Sequence, residues 1–279
     1  MASLFVNELT VIDFSYLDVT RGVVGESWIL DVTLNGELND EGMVFDFGLV
    51  KKQIKHAVDE GLDHKFLIPA RLPGLQILQD DEDFHFEFHN DQGLHIEYKS
   101  PREAIYLLNS DQLDIDQVSE VIRKHLMTIV PENVSEIKIG LYPQAIQGAF
   151  YHYSHGLKKH QGDCQRICHG HRSPIEIVRN GQRDEKIETS IANLWRDIYL
   201  ITKEDLLAEN DQLYVLGYES EQGHFELSIS KDRCYLFDTD TTVELIADHL
   251  AHKIQNEYPN DSIEVRAFEG FKKGAIAGG

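Results

Sequence analysis

Four histidines and two of the chain's three cysteines fall between His155 and His171, in the stretch HGLKKHQGDCQRICHGH. His169-Gly170-His171 reads as the start of a β-strand. Residues two apart in a strand share a face, so both imidazoles can aim at one point. Gly170 leaves the opposite face unobstructed. His155 closes the preceding aromatic strand, which would pair antiparallel across the QGDCQRIC loop. Three imidazoles on one sheet face suit Zn2+, and three protein ligands leave its fourth position open to substrate. His160, in the loop, is a competing donor. The other reading of the same residues is a polar, His-rich surface turn.

Such a centre needs strands in fixed register, and the chain supplies them twice. WILDVTLNG (28–36) resembles SPIEIVRNG (173–181), and HKFLIPARL (64–72) resembles DIYLITKEDLL (197–207). The run from Asn90 to Asp111 resembles that from Glu221 to Asp240. Ordered matches of this kind indicate an internal duplication. Each copy opens with two strands of alternating polarity, FVNELTVIDFSY and WILDVTLNGEL in the first, GAFYHYSHG and SPIEIVRNG in the second. DFGLVKKQIKHAVDEGL is a helix with Leu49, Ile54, Ala57 and Val58 on one stripe and Gly61 as its stop. DFHFEFHNDQGLHIEYK is a hairpin turning at Asn90–Gly93, with Phe84, Phe86 and Phe88 on its buried face. A second helix, DIDQVSEVIRKHLMTIV, matches TTVELIADHLAHKIQNEY, where Glu244 is placed to cap. SEIKIGLY and SIEVRAFEG are the closing strands. The expected units are 1–146 and 147–279, joined near Gln147 without a long linker.

The combined motifs resemble the 6-pyruvoyltetrahydropterin synthase and 6-carboxytetrahydropterin synthase family. They comprise the cysteine loop leading to HGH after an aromatic strand, Gly42-Met43-Val44-Phe45-Asp46-Phe47, Leu62-Asp63-His64-Lys65, and the terminal VRAFEG. The resemblance implies an α+β architecture of two tandem tunnelling-fold (T-fold) units, each a four-stranded antiparallel sheet with two helices on one face. It implies a zinc-dependent lyase acting on 7,8-dihydroneopterin triphosphate, whose carboxy product belongs to queuosine biosynthesis. His155, His169 and His171 take the zinc positions. A cysteine thiolate is the implied base, Asp63 orients a proton-carrying His64, and Glu269 anchors the pterin. The motifs are divided between the copies. Where the first copy should carry zinc histidines it has Asp18, Val24 and Glu26, and its terminal strand lacks the glutamate. Where the second should carry the Asp-His pair it has Arg196-Asp197. Together the copies hold one full set. The family's cysteine position is Gln165 here, so Cys164, shifted by one residue, is the expected base. Cys168 should point to the opposite face of the strand, and Cys234 is expected in the core. A non-catalytic pterin- or purine-binding protein of the same fold is the alternative.

Composition narrows the partners. The formal net charge of -22 disfavours nucleic acid and anionic membrane surfaces. No apolar run approaches the roughly 18 residues of a transmembrane helix, and the N-terminus has no basic n-region. Three cysteines do not make a disulfide framework, which points to a reducing cytoplasm. The expected partners are a small-molecule pterin and further copies of the chain, because sheets with open edges invite closure into homo-oligomeric barrels. The acidic, His-containing DDEDFHFEFH is read as the solvated side of a strand, and His249 and His252 as surface residues.

Overall fold

The computed structural model describes residues 1–279. The first half contains β1 (Ala2–Asp18), β2 (Gly22–Gly36), α1 (Phe47–Gly61), β3 (Phe66–Pro69), β4 (Leu75–Asp80), β5 (Asp83–His89), β6 (His95–Pro101), β7 (Ile105–Leu108), α2 (Ile115–Leu126) and β8 (Val134–Pro143). The second contains β9 (Phe150–His155), β10 (His169–Arg179), β11 (Gln182–Arg183), α3 (Glu185–Leu194), β12 (Ile198–Thr202), β13 (Leu206–Glu209), β14 (Leu213–Ser220), β15 (Gly223–Ser230), β16 (Cys234–Phe237), α4 (Val243–Glu257), β17 (Ile263–Phe268) and β18 (Gly274–Gly278). No helix is long and apolar enough to cross a membrane.

The expected pair of four-stranded antiparallel units is corrected to three sheets. One has the order β7-β3-β1-β2-β8, and its counterpart the order β16-β12-β9-β10-β17-β18 with β11 on β10. In each, the short strands after the first helix join in parallel: β3 on β1 and β7 on β3, β12 on β9 and β16 on β12. The hairpins leave these sheets. β5-β6 and β14-β15 form a third sheet, β13-β14-β15-β6-β5-β4, in which β15 pairs antiparallel with β6 across the two halves. The cause is the unpaired edge each hairpin carries, which the other satisfies.

Each half has its own helix-covered core. Ile12, Phe14, Tyr16, Trp28 and Leu30 pack under α1 and α2. Tyr151, Tyr153, Ile175, Ile177 and Trp195 pack with α3 and α4. A third core lies beneath the shared sheet, where Phe84, Phe86, Phe88 and Tyr98 meet Phe225, Leu227 and Ile229. On α1 the buried stripe is Val50, Ile54, Ala57 and Val58, and Leu49 is exposed; the stripe begins one residue later than the sequence suggested. Asp46, from the GMVFDF motif, caps this helix by accepting from the Leu49 N–H at 3.0 Å. In α4 Thr242 is the cap, and Glu244 lies in the first turn.

The two long strand pairs press against each other. From Ile12 to Tyr16 and from Val23 to Leu30, β1 and β2 are buried on both faces, so their polarity stops alternating. One face meets the first core. The other meets β9 and β10, where Ser15 Oγ lies 2.7 Å from Ser154 Oγ. A Cβ on Gly170 would fall 2.6 Å from Gly25 Cα and 2.5 Å from the Tyr153 carbonyl oxygen. Two glycines thus let the backbones touch beside His169 and His171.

Candidate metal centre

β9 and β10 build the centre. Their register sets His155 opposite His169, and His171 follows two residues later opposite Tyr153. All three imidazoles are buried, and their ligand nitrogens lie within 4.8 Å of one another. Each Nδ1 faces an oxygen. His155 Nδ1 is 3.0 Å from both the carbonyl and the hydroxyl oxygen of Thr241, and His169 Nδ1 is 3.0 Å from the Arg166 carbonyl. His171 Nδ1 is 3.2 Å from Asp13 Oδ1, although its angle falls short of a hydrogen bond. All three Nε2 atoms are buried without partners. Buried polar atoms are rarely left so. A proton on each Nδ1 leaves three Nε2 lone pairs directed at one point, with oxygens behind each ring to fix it. Burial also pushes the His155 and His169 imidazoles well below their usual range, which keeps them in the neutral, ligating form. This donor set fits Zn2+ with a position left open.

The first half delivers its pair to the same place. The His64 ring centroid is 5.1 Å from that of His169 and 6.5 Å from that of His171. Asp63 Oδ2 lies 2.7 Å from His64 Nδ1, and Asp63 Oδ1 accepts from the Asp13 backbone N–H at 2.7 Å. His64 holds a left-handed backbone (φ 56°), a conformation non-glycine residues adopt at some cost. Its own N–H donates to the Asp13 carbonyl at 2.7 Å. Burial opposes protonation of His64, but hydrogen bonds and charge from Asp63 and Cys164 outweigh it and raise its pKa well above the usual value.

The thiols separate as their positions suggest. Cys164 sits in a short 3-10 turn, Gly162–Gln165, and its sulfur falls within 4.8 Å of ligand atoms of both His64 and His169. Cys168 points away into the core beneath the shared sheet, where burial pushes its thiol well up. Cys234 packs against that core, half-buried. Glu269 follows β17 at the mouth of the centre, its Oε1 3.9 Å from His171 Nε2 and its Oε2 4.0 Å from Lys273 Nζ. His160 joins neither cluster. Near the hairpin, His85, Glu87 and Glu97 form a half-exposed group that shares Glu97 with Lys99 at 3.4 Å.

A sequence profile described as 6-pyruvoyl tetrahydropterin synthase matches residues 20–141 and again 146–278. The chain belongs to the 6-pyruvoyl tetrahydropterin synthase family. A provisionally named 6-carboxy-5,6,7,8-tetrahydropterin synthase of Methanocaldococcus jannaschii is 31% identical over 139 residues, 47% of this chain and 81% of that protein. One of the same provisional name from Pyrococcus abyssi is 24% identical over 131 residues, 47% of this chain and 74% of its own. A crystal structure of 6-pyruvoyl tetrahydropterin synthase from Plasmodium vivax overlays at TM-score 0.42 and 18% identity, over 52% of this chain and 93% of that one.

Against this family background the first half's degenerate positions have a physical account. Asp197 stands where the second half should carry its histidine, and it keeps the same left-handed backbone, φ 55° against 56° for His64. Arg21 donates to it from Nε at 3.0 Å and from Nη2 at 2.5 Å, and from Nη1 to the Tyr16 hydroxyl at 2.6 Å. Asp18 accepts the Arg21 backbone N–H at 2.9 Å. A guanidinium of the chain's own thus pairs with the aspartate that stands in place of the second half's histidine. Sequence reasoning missed Asp13, Arg166 and Lys273. Only Asp13 carried a signal: a carboxylate in the otherwise apolar run VIDF, with a relative exposure of 3%.

Proposed function

We propose that the chain is a zinc-dependent lyase acting on 7,8-dihydroneopterin triphosphate, giving a 6-carboxy- or 6-pyruvoyl-tetrahydropterin. The observation that carries this reading is the meeting of three orphaned, buried Nε2 atoms from one half with the Asp63–His64 pair of the other, and Cys164 beside both. His155, His169 and His171 would hold the ion, and when bound it supplies Lewis acidity to the oxygens of the pterin side chain. Cys164, as thiolate, removes the proton from the carbon so acidified. The electron pair of that C–H bond passes into the ring C=N bond, which takes up a proton and reaches the tetrahydro level while the carbon becomes a ketone. His64, held by Asp63, then relays the proton lost from the neighbouring carbon, whose electron pair expels triphosphate from the third carbon to leave the pyruvoyl side chain. The carboxy product requires in addition water and release of the outer two carbons as a two-carbon aldehyde. Glu269 accepts hydrogen bonds from the pterin amino group and ring N–H, which orients the substrate. The reach of Cys164 favours this lyase over the non-catalytic pterin-binding alternative. Copies of the chain would associate through the open edges β8 and β18, which expose Tyr142 and Ile276.

The test is metal content and turnover in matched variants. The purified protein should hold about one zinc per chain, and His169→Ala should lose it. Asp63→Asn should keep the zinc and lose about 10²–10⁴-fold in kcat, the range general acid–base catalysis contributes. Stoichiometric zinc in His169→Ala, or full turnover in Asp63→Asn, defeats the reading.

A further inference from the structure

Asp13 lies in β1 of the first half, outside every motif that carries the family resemblance, and its side chain is buried. Four parts of the centre nevertheless meet on it. Its carboxylate Oδ1 stands 3.2 Å behind His171 Nδ1 and accepts the Ser27 hydroxyl at 2.5 Å. Its Oδ2 is 3.1 Å from Lys273 Nζ, whose neighbour across the mouth is Glu269. Its backbone N–H holds the Asp63 carboxylate, and its carbonyl receives the His64 N–H. The segment after Glu269 closes on it too: a Cβ on Gly270, whose φ is +71°, would fall 2.5 Å from Asp13 Oδ1.

We propose that Asp13 is the positioning residue of the metal centre: its carboxylate sets the ring of His171 while its peptide group sets Asp63 and His64, so that one residue of the first half aligns both contributions. The inference rests on the zinc reading above. A carboxylate behind a ligating imidazole fixes the Nδ1 proton, orients Nε2 and raises the ring's basicity, and losing such a partner weakens metal binding about 10–100-fold. Of the three rings, His155 and His169 lean on oxygens of their own half, whereas His171 alone leans on the other.

The experiment is zinc affinity by chelator competition on folded apo-protein, for the natural chain and for Asp13→Asn. Asparagine keeps the volume, the peptide contacts and an oxygen for Ser27, but it removes the charge behind His171. Asp13→Asn should bind zinc about 10–100-fold more weakly, with a shifted visible spectrum when Co2+ replaces zinc. Natural protein that binds no zinc would defeat the metal reading itself. Tight zinc in the natural chain together with equal affinity and an unchanged Co2+ spectrum in Asp13→Asn would overturn the role of Asp13 alone. Should Asp13→Asn fail to fold, ¹⁵N spectra of the natural zinc-loaded protein decide: a slowly exchanging proton on His171 Nδ1 is expected, and a proton on its Nε2 overturns the proposal.

Discussion

Cys164 reaches the centre because a loop, unlike a strand, can take up a one-residue shift without reversing its side chains. The Leu157 N–H donates to the Cys164 carbonyl at 2.9 Å and pins the turn so that the sulfur faces His64 and His169, while Cys168, fixed by the strand that follows, is committed to the opposite core. Cys164→Ser should therefore keep zinc at about one per chain and lose at least about 10²-fold in kcat, because a serine hydroxyl is a far weaker base than a thiolate. A Cys168→Ser variant with the larger loss would reverse the assignment. Glu26 supplies a second residue-level expectation. Burial pushes its carboxyl up to about 7 from an ordinary 4.5. Between those values the folded chain holds a proton that the unfolded chain has released, so stability attributable to Glu26 falls as pH rises from about 4.5 to about 7. Glu26→Gln removes that term and keeps an oxygen for the Ser27 N–H, which it accepts at 2.9 Å. The variant's stability relative to the natural chain should rise by about 2 kcal/mol between pH 5 and pH 8, read from denaturant melts at each pH; a pH-independent difference would contradict it. The clustering of His169 with His171 was legible because strand periodicity alone puts the two on one face. Asp13 and Lys273 were not, since their partners lie in the other half of the chain and no local pattern records a contact across it.

Long strands and amphipathic helices were legible for the same reason, a local period matched to a local face. β1, β2, β9, β10, α1, α2 and α4 fall where the alternation and the apolar stripes put them. The parallel strands β3, β7, β12 and β16 were harder, because pieces of four or five residues carry too little pattern to announce which edge they join. What holds the element level together is the contact of β2 with β10 at Gly25 and Gly170. Its sign is testable by adding one methyl. Gly170→Ala places a Cβ against backbone atoms at 2.5 and 2.6 Å, which cannot rotate away, so the two strand pairs must separate. We expect a loss of about 3 kcal/mol in unfolding free energy and weaker zinc binding, since His169 and His171 flank the substituted residue. Gly61 is the contrast. It ends α1 with no atom within 4 Å of a new Cβ, and Gly61→Ala should be neutral or stabilise by up to about 1 kcal/mol. Equal effects at the two glycines in thermal or denaturant melts would show that the close approach does not carry the packing.

At the scale of the molecule, duplication was visible as repeated sequence, but the shared six-stranded sheet was not. The pairing of β6 with β15, Lys99 opposite Glu226 and Tyr98 opposite Leu227, joins residues more than a hundred positions apart, and nothing in either hairpin names its partner. This sheet and its core make the halves interdependent. A chain of residues 147–279 alone would expose Phe225, Leu227 and Ile229, leave an unpaired edge on β15, strip Ser154 of its Ser15 partner, and keep His155, His169 and His171 while losing Asp13, Asp63 and His64. Apolar surface of that extent, beside an open strand edge, drives association. The isolated second half is therefore expected to aggregate or to melt without a cooperative transition, and to hold zinc at least about tenfold more weakly than the full chain, in line with the loss of an outer-shell carboxylate. Co-expression with residues 1–146 should restore a soluble, stoichiometric pair by size exclusion and return the metal. A second half that folds cooperatively by itself with undiminished zinc affinity would mean that the first half serves only the chemistry and not the architecture of the centre.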